Sequence, residues 1–261
     1  MVYINKGGRD TWYEVYSRCA DNNTWSLTLS LPHTIWPNRG PAVAIGEGSL
    51  LYVDGLTNTT LFDITSGKIQ WGVSAASTPP SPAIAGPYAF AGVESNPPSS
   101  FTLQTTVYHM NSGAKHGTYE GQFSGLYGDL ALFTNVYGYY IVNNLTSGTQ
   151  VWNASATTTT GFTGPTLNSA AKRPILWYGP QQNSGLNMTI VGRDMTTGVI
   201  LWTKSFDVPN TLPNPPFLCQ DTSSIGDVVI TSCNSAYNGT YFQAMDGLTG
   251  ALLWNATMAN P

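Results

Sequence analysis

Residues 62–71 read FDITSGKIQW, and this decapeptide decides the fold because it returns along the chain. It reappears as NNLTSGTQVW at 143–152, RDMTTGVILW at 193–202 and MDGLTGALLW at 245–254. Each copy carries an Asp or Asn (Asp63, Asn144, Asp194, Asp246), then a Ser/Thr-Gly pair at +3 and +4 that ends in Gly67, Gly148, Gly198 or Gly250, then a Trp at +8. A degraded copy, HMNSGAKHG at 109–117, keeps Ser112-Gly113 but has His109 in place of the acid and Gly117 where Trp is expected. A sixth anchor is Trp25, preceded by the turn-like CADNN at 19–23.

The local chemistry is that of a tight turn leading into a strand. Gly accepts the positive φ that a hairpin needs, and an Asp or Asn side chain accepts hydrogen bonds from nearby turn amides. The strand beyond the turn presents an indole at one fixed place in every unit, which suits packing one sheet face against the next. Between the turns lie short runs rich in β-branched and aromatic residues, such as SLLYVDG, YAFAGV, LALFTNV and DVVITSC, punctuated by 27 Gly and 17 Pro. No window sustains the i, i+3, i+4, i+7 apolar pattern of a helix, so the chain reads as all-β. Successive anchors, counting Gly117, stand 46, 46, 35, 50 and 52 residues apart, the length of a four-stranded antiparallel blade with its turns.

The motif Asp-x-x-Ser/Thr-Gly-x-x-x-Trp resembles the tryptophan-docking motif of PQQ-like (quinoprotein-type) β-propeller repeats, and its copies cover essentially the whole chain. The resemblance implies a single β-propeller domain of six four-stranded blades at 1–30 (incomplete), 31–76, 77–121, 122–156, 157–207 and 208–261. It also implies that Trp25, Trp71, Trp152, Trp202 and Trp254 dock each blade on its neighbour. In the second blade the strands, from inside outward, are expected at 41–46, at LLYVDG, at 59–65 and at 68–73. Inner-strand sequences such as PAVAIG and PAIAG are built of small residues, as expected where strands crowd round an axis. A propeller closes when one terminus supplies the strand the other lacks. With seven residues after Trp254, the expectation is a segment of a longer chain or an irregular closure.

Composition narrows the function. Charged residues make up 9% of the chain, with 10 basic and 14 acidic groups and a net charge of -4, against a usual charged fraction of roughly 25%. That excludes the basic footprint of nucleic-acid or anionic-membrane binding. No stretch approaches the roughly 20 apolar residues of a membrane-spanning helix, so no membrane insertion is expected within this segment. Polarity comes instead from 32 Thr, 22 Ser and 20 Asn. The opening MVYINKGGRD lacks the basic and apolar regions of a signal peptide, which implies either a cytosolic protein or a leader outside this sequence.

Cys219 and Cys233 are equidistant from a turn centred near 225–227, so they are placed to face each other across two antiparallel strands. A disulfide suits that placement; the alternative is two buried thiols in a reducing compartment. Cys19 is left over, to pair outside this segment. Asn-x-Ser/Thr sequons occur at Asn22, Asn58, Asn144, Asn153, Asn187, Asn238 and Asn255. Asn58, Asn187 and Asn238 fall at hairpins between the second and third strands of different blades, and Asn153 and Asn255 directly follow a docking Trp, so most belong where a glycan is tolerated. Sequons and disulfide together point to an extracellular or cell-surface location.

Enzymes with this repeat hold PQQ and a calcium ion on the propeller axis and use an aspartate base. This chain lacks the vicinal cysteine pair that packs on that cofactor, and Asp54, Asp129, Asp221 and Asp227 read as turn or strand-end acids. His33, His109 and His116 show no triad or metal spacing, so no catalytic residue and no metal site is expected. Trp12, Trp36, Trp177, Tyr137, Tyr139 and Tyr140 suit either a sugar-stacking surface or ordinary strand packing. The expectation is a glycosylated surface β-propeller acting as a non-enzymatic scaffold or binding module, with protein or glycan partners and no cofactor. The alternative is a fragment or subunit of a PQQ-dependent quinoprotein or respiratory surface complex, with PQQ and calcium. A third reading, a periplasmic assembly scaffold like the bacterial lipoproteins with the same repeats, requires a lipidated N-terminal Cys and carries no glycans. The low charge with abundant Thr and Asn resembles surface glycoproteins of acidophilic archaea, and with few carboxylates stability is expected to be nearly independent of pH from acid to neutral.

Overall fold

The computed structural model describes residues 2–6, 11–18, 25–33, 42–53, 58–74, 82–95, 102–135, 139–155, 166–167, 175–178, 187–207, 218–235 and 239–258. Among them the chain forms one three-stranded and five four-stranded sheets, each made of strands consecutive in sequence. Two compact units hold these sheets, Met1–Phe123 and Ser124–Pro261.

In the first unit, β1 (Val2–Lys6), β2 (Thr11–Arg18) and β3 (Trp25–His33) form the three-stranded sheet. Strands β4 (Ala42–Gly46), β5 (Ser49–Val53), β6 (Asn58–Asp63) and β7 (Ile69–Ser74) form the second, close to the four segments expected from sequence. The third contains β8 (Ala83–Ala85), β9 (Tyr88–Ser95), β10 (Thr102–His109) and β11 (Lys115–Glu120). In the second unit the sheets are β12 (Gln122–Tyr127) to β15 (Thr149–Ser155), through β13 (Leu130–Thr134) and β14 (Tyr139–Asn144); β16 (Thr166–Leu167) to β19 (Ile200–Asp207), through β17 (Ile175–Tyr178) and β18 (Asn187–Asp194); and β20 (Leu218–Ile225) to β23 (Leu252–Met258), through β21 (Val228–Ser235) and β22 (Gly239–Asp246). The first sheet runs on to His33, past the blade boundary expected at residue 30.

Within each unit the core lies between sheets. Val15 and Leu31 of the first sheet meet Leu50, Phe62 and Ile64 of the second. Leu51, Leu61 and Trp71 on the other side of the second sheet meet Ala89, Ala91 and Tyr108 of the third. Because a strand's side chains alternate between faces, covering both faces buries consecutive residues: Leu50 and Leu51 are each 0% exposed. In the second unit, Leu132, Tyr140 and Val142 meet Met195, and Ile190 and Trp202 meet Val229 and Met245. Inner strands β4 and β8 come so close that a Cβ on Gly46 would lie 3.1 Å from the Ile84 side chain, so a glycine stands at that point of closest approach.

Candidate functional site

The repeat motif builds the same turn in the second, fifth and sixth sheets. In the second sheet the Gly67 amide donates to the Asp63 carbonyl at 2.9 Å and the Asp63 amide to the Lys68 carbonyl at 2.9 Å. The pattern repeats at Asp194 with Gly198 and Val199, and at Asp246 with Gly250 and Ala251. The side-chain carboxylate caps the inside of the turn: Asp194 Oδ1 accepts from the Thr196 and Thr197 amides at 2.8 and 2.9 Å, and Asp246 Oδ1 from those of Leu248 and Thr249 at 3.0 and 2.8 Å. Asn144 does the same with its amide oxygen, accepting from Ser147 at 2.9 Å. Hydrogen bonds from the Ser66 amide and hydroxyl hold the Asp63 carboxyl below the usual carboxylate range. The Thr249 hydroxyl and amide do likewise for Asp246.

Immediately before Trp71, Trp152, Trp202 and Trp254 the ladder carries a bulge, which re-aims the strand. Trp71 opposes Leu61 while Ile69 opposes Phe62; Trp152, Trp202 and Trp254 stand at the same step. Three of these indoles dock on the following sheet. Trp71 Nε1–H donates to the Met110 carbonyl at 2.8 Å, Trp152 to Met195 at 2.6 Å, and Trp202 to Gly247 at 2.9 Å. The acceptor is each time the residue after the motif's acid position, and the motif glycine lies flat beneath the ring: a Cβ on Gly113, Gly198 or Gly250 would sit 2.6–2.7 Å from the indole. A third contact, which the motif spacing does not announce, comes from the residue preceding the acid. Tyr108 packs on Trp71 with ring centroids 5.7 Å apart, and the Arg193 guanidinium lies 5.7 Å from the centre of the Trp152 ring while donating to the Gly198 carbonyl.

The remaining anchors differ. Trp254 is 46% exposed. Trp25 begins β3 opposite Arg18, and the bulge step of that sheet is occupied by Leu29 opposite Val15. A Cβ on Gly67 would lie 2.5 Å from the Thr28 carbonyl oxygen, so the backbone of β3 stands where an indole stands elsewhere.

The third sheet departs from the motif twice, and the two departures meet. His109 stands at the acid position and its ring faces His116 on β11, with His116 Nδ1 3.4 Å from His109 Nε2. The imidazoles are nearly perpendicular, with centroids 5.1 Å apart. Tyr88, paired with His109 across the ladder, lies against both at 5.6 and 5.3 Å, and Tyr119 stacks on His116 at 6.2 Å. Gly117, in the Trp position, makes room for this: a Cβ there would be 3.1–3.2 Å from the Tyr119 phenol. Burial, and secondarily the neighbouring Tyr88, push the Tyr119 hydroxyl's pKa up. Sequence spacing gave no hint of this cluster, because the histidines, seven positions apart, stand on either side of a hairpin turn and a bulge. Among the described residues no group of three or more His, Cys, Asp or Glu is assembled.

Other residues singled out from sequence fall as follows. Backbone register pairs Cys219 directly with Cys233 across β20 and β21; their side chains, like those of Trp12, Trp25, His33, Trp177, Asn187 and Asp221, lie outside the described residues. So do Cys19, Asn22, Trp36, Asp54, Tyr137 and Asn238 altogether. Asn58, Asn153 and Asn255 are exposed and Asn144 is half-buried. Asp129 and Asp227 are turn residues whose carbonyls accept from the Leu145 and Gly247 amides. Tyr140 is buried core and Tyr139 is 43% exposed.

Stacked four-stranded sheets held by docked indoles define a PQQ-like β-propeller, and solved structures bear this out. BamB from Moraxella catarrhalis matches with a TM-score of 0.59 at 18% identity, over 94% of this chain and 67% of its own. A europium-containing methanol dehydrogenase matches at 0.57 and 10% identity, over 98% of this chain and 70% of its own. Quinohemoprotein alcohol dehydrogenase ADHIIG from Pseudomonas putida HK5 matches at 0.58 and 12% identity, over 96% of this chain and 59% of its own. Comparison with protein-family profiles and with curated protein sequences yields no match.

Proposed function

We propose that the chain is an extracellular or cell-surface, N-glycosylated propeller that works as a non-enzymatic scaffold or binding module for protein or glycan partners. The observation that carries this reading is where the repeat spends its polar side chains. The motif acids Asp63, Asp194 and Asp246 are committed to capping their own turns, so the repeated chemistry is that of assembly. Sequon placement supports the location. Asn153 and Asn255 follow Trp152 and Trp254 on outer strands, where alternation turns them to the opposite face, and both are exposed, as is Asn58 at the start of β6. The direct register of Cys219 with Cys233 supports a cross-strand disulfide in an oxidising compartment.

Glycopeptide and intact-mass analysis of native material tests the reading. We expect glycans at Asn58, Asn153 and Asn255, lower occupancy at half-buried Asn144, and a mass two hydrogens lighter than the free dithiol at Cys219 and Cys233. Bare sequons with free thiols overturn the extracellular assignment. A second reading, part of a quinoprotein or respiratory surface complex, draws on the likeness to the two dehydrogenases; calcium-dependent uptake of PQQ, seen as a chromophore, would favour it over the scaffold.

A further inference from the structure

The third sheet carries His109 where every other four-stranded sheet among the described residues carries an Asp or Asn, and faces it with His116, the residue before the Gly117 that stands in the Trp position. We propose that His109 and His116 form a binding site for a late divalent transition metal ion, zinc or copper in class, with the remaining coordination positions filled from solution.

The geometry is that of two cis ligands. A tetrahedral zinc ion takes imidazole nitrogens at about 2.0–2.1 Å, which sets the two nitrogens about 3.3–3.4 Å apart. His116 Nδ1 and His109 Nε2 are 3.4 Å apart. An ion therefore enters between them with little ring movement, the proton they share passing to the other nitrogen of the ring that donates it, so that each neutral imidazole offers the metal a lone pair. Imidazole is the ligand type that selects zinc, copper and nickel over calcium and magnesium. The rings are held in place beforehand: Tyr88 lies against both and Tyr119 stacks on one. Both histidines are partly exposed, so ions reach them, while His116 Nε2 is buried and makes no hydrogen bond among the described residues. That leaves Nδ1 as the ligating atom. Gly117 keeps the space open, because the Trp that the repeat elsewhere puts at this step would occupy the room Tyr119 now takes. The two histidines lie on β10 and β11 on either side of the turn that accepts the Trp71 indole, so a bound ion also ties that turn across its base.

The test uses the tag-free full chain titrated with zinc chloride by calorimetry, with cobalt(II) as a spectroscopic probe. We expect one ion per chain, visible d–d absorption typical of low-coordinate cobalt with nitrogen ligands, and a melting temperature that rises with zinc. His109→Asn is a conservative disruption, since Asn144 fills the same turn position in the fourth sheet; His116→Gln removes the second ligand. Each variant should retain its fold by circular dichroism, weaken zinc binding by roughly tenfold or more, and lose the zinc-dependent rise in melting temperature. A His33→Asn variant should bind as the parent does. Absence of stoichiometric binding, or binding unchanged in both His109→Asn and His116→Gln, overturns the proposal and leaves the pair as an imidazole–imidazole hydrogen bond.

Discussion

The turn between β6 and β7 and the turn between β10 and β11 share one backbone and are held by different side chains. In both, the +4 glycine has φ of +68° and its amide donates back to the first residue at 2.9 Å. In the first, the Asp63 carboxylate caps the interior, accepting from the Ser66 amide at 2.7 Å. In the second the cap is gone, His109 has turned to His116, and the turn still takes the Trp71 indole. The glycine and the ladder bonds are therefore what the turn requires, and the acid is replaceable. Freed from capping, the acid position of the third sheet became available for other chemistry, and the loss of its Trp opened the neighbouring space.

The sharpest way to break this comparison is to remove an indole. Trp71 and Trp202 are each 8% exposed, and replacing either with Ala should cost about 3–5 kcal/mol, as for other buried aromatics. Trp254→Ala, at a half-exposed site, should cost about 1 kcal/mol or less. Urea unfolding of the three variants checks the ranking; equal losses would mean that docking is not what the buried anchors share. A smaller effect separates the two duties of the motif glycine. Gly198→Ala faces both a φ of +74° and an indole 2.7 Å from the new Cβ, so a loss of roughly 2–3 kcal/mol is expected. Gly148→Ala meets the same backbone demand, φ +68°, with nothing within 4 Å of the new Cβ, and should cost only about 1 kcal/mol.

The class of fold was legible because the features that build it are local and repeated. A turn glycine, a cap and an indole fall within nine residues of one another, so the decapeptide carries the whole clasp apart from its acceptor. Even there, spacing placed the docked indoles at Trp71, Trp152 and Trp202 without naming Met110, Met195 or Gly247, because an acceptor carbonyl belongs to the next sheet and every residue has one. The Tyr108 and Arg193 contacts were hidden for a related reason: the residue before the acid varies in type from sheet to sheet, and only its position recurs. Trp25 stands four residues before the bulge step of the first sheet, and a bulge leaves no residue signature; register alone identifies Leu29 there. The histidine pair escaped notice for the opposite reason, since scatter along the sequence says little about two residues on either side of a hairpin.

Acid unfolding gives the smallest effect and the most selective one, because it distinguishes a charged cap from an uncharged cap on the same backbone. Asp63 and Asp246 have carboxyls held below their ordinary value by hydrogen bonds from Ser66 and Thr249 respectively. A carboxyl lowered on folding contributes stability that is present above its unfolded pKa, about 3.9, and is lost as pH falls through the lower folded value. Both groups lie near the surface, so solvent screens them and the loss is shallow. Asn144 makes the same cap with no titrating group, and its turn contributes nothing to the acid limb. The sequence-based expectation of near pH-independence thus sharpens to a flat profile above about pH 4 with a gentle decline below it. Melting temperatures recorded from pH 6 to pH 2 should show that decline flattened in Asp246→Asn and steepened in Asn144→Asp. If the acid limb is the same in parent and both variants, the caps do not set it, and the charged turns and the amide turn are equivalent in solution as well as in shape.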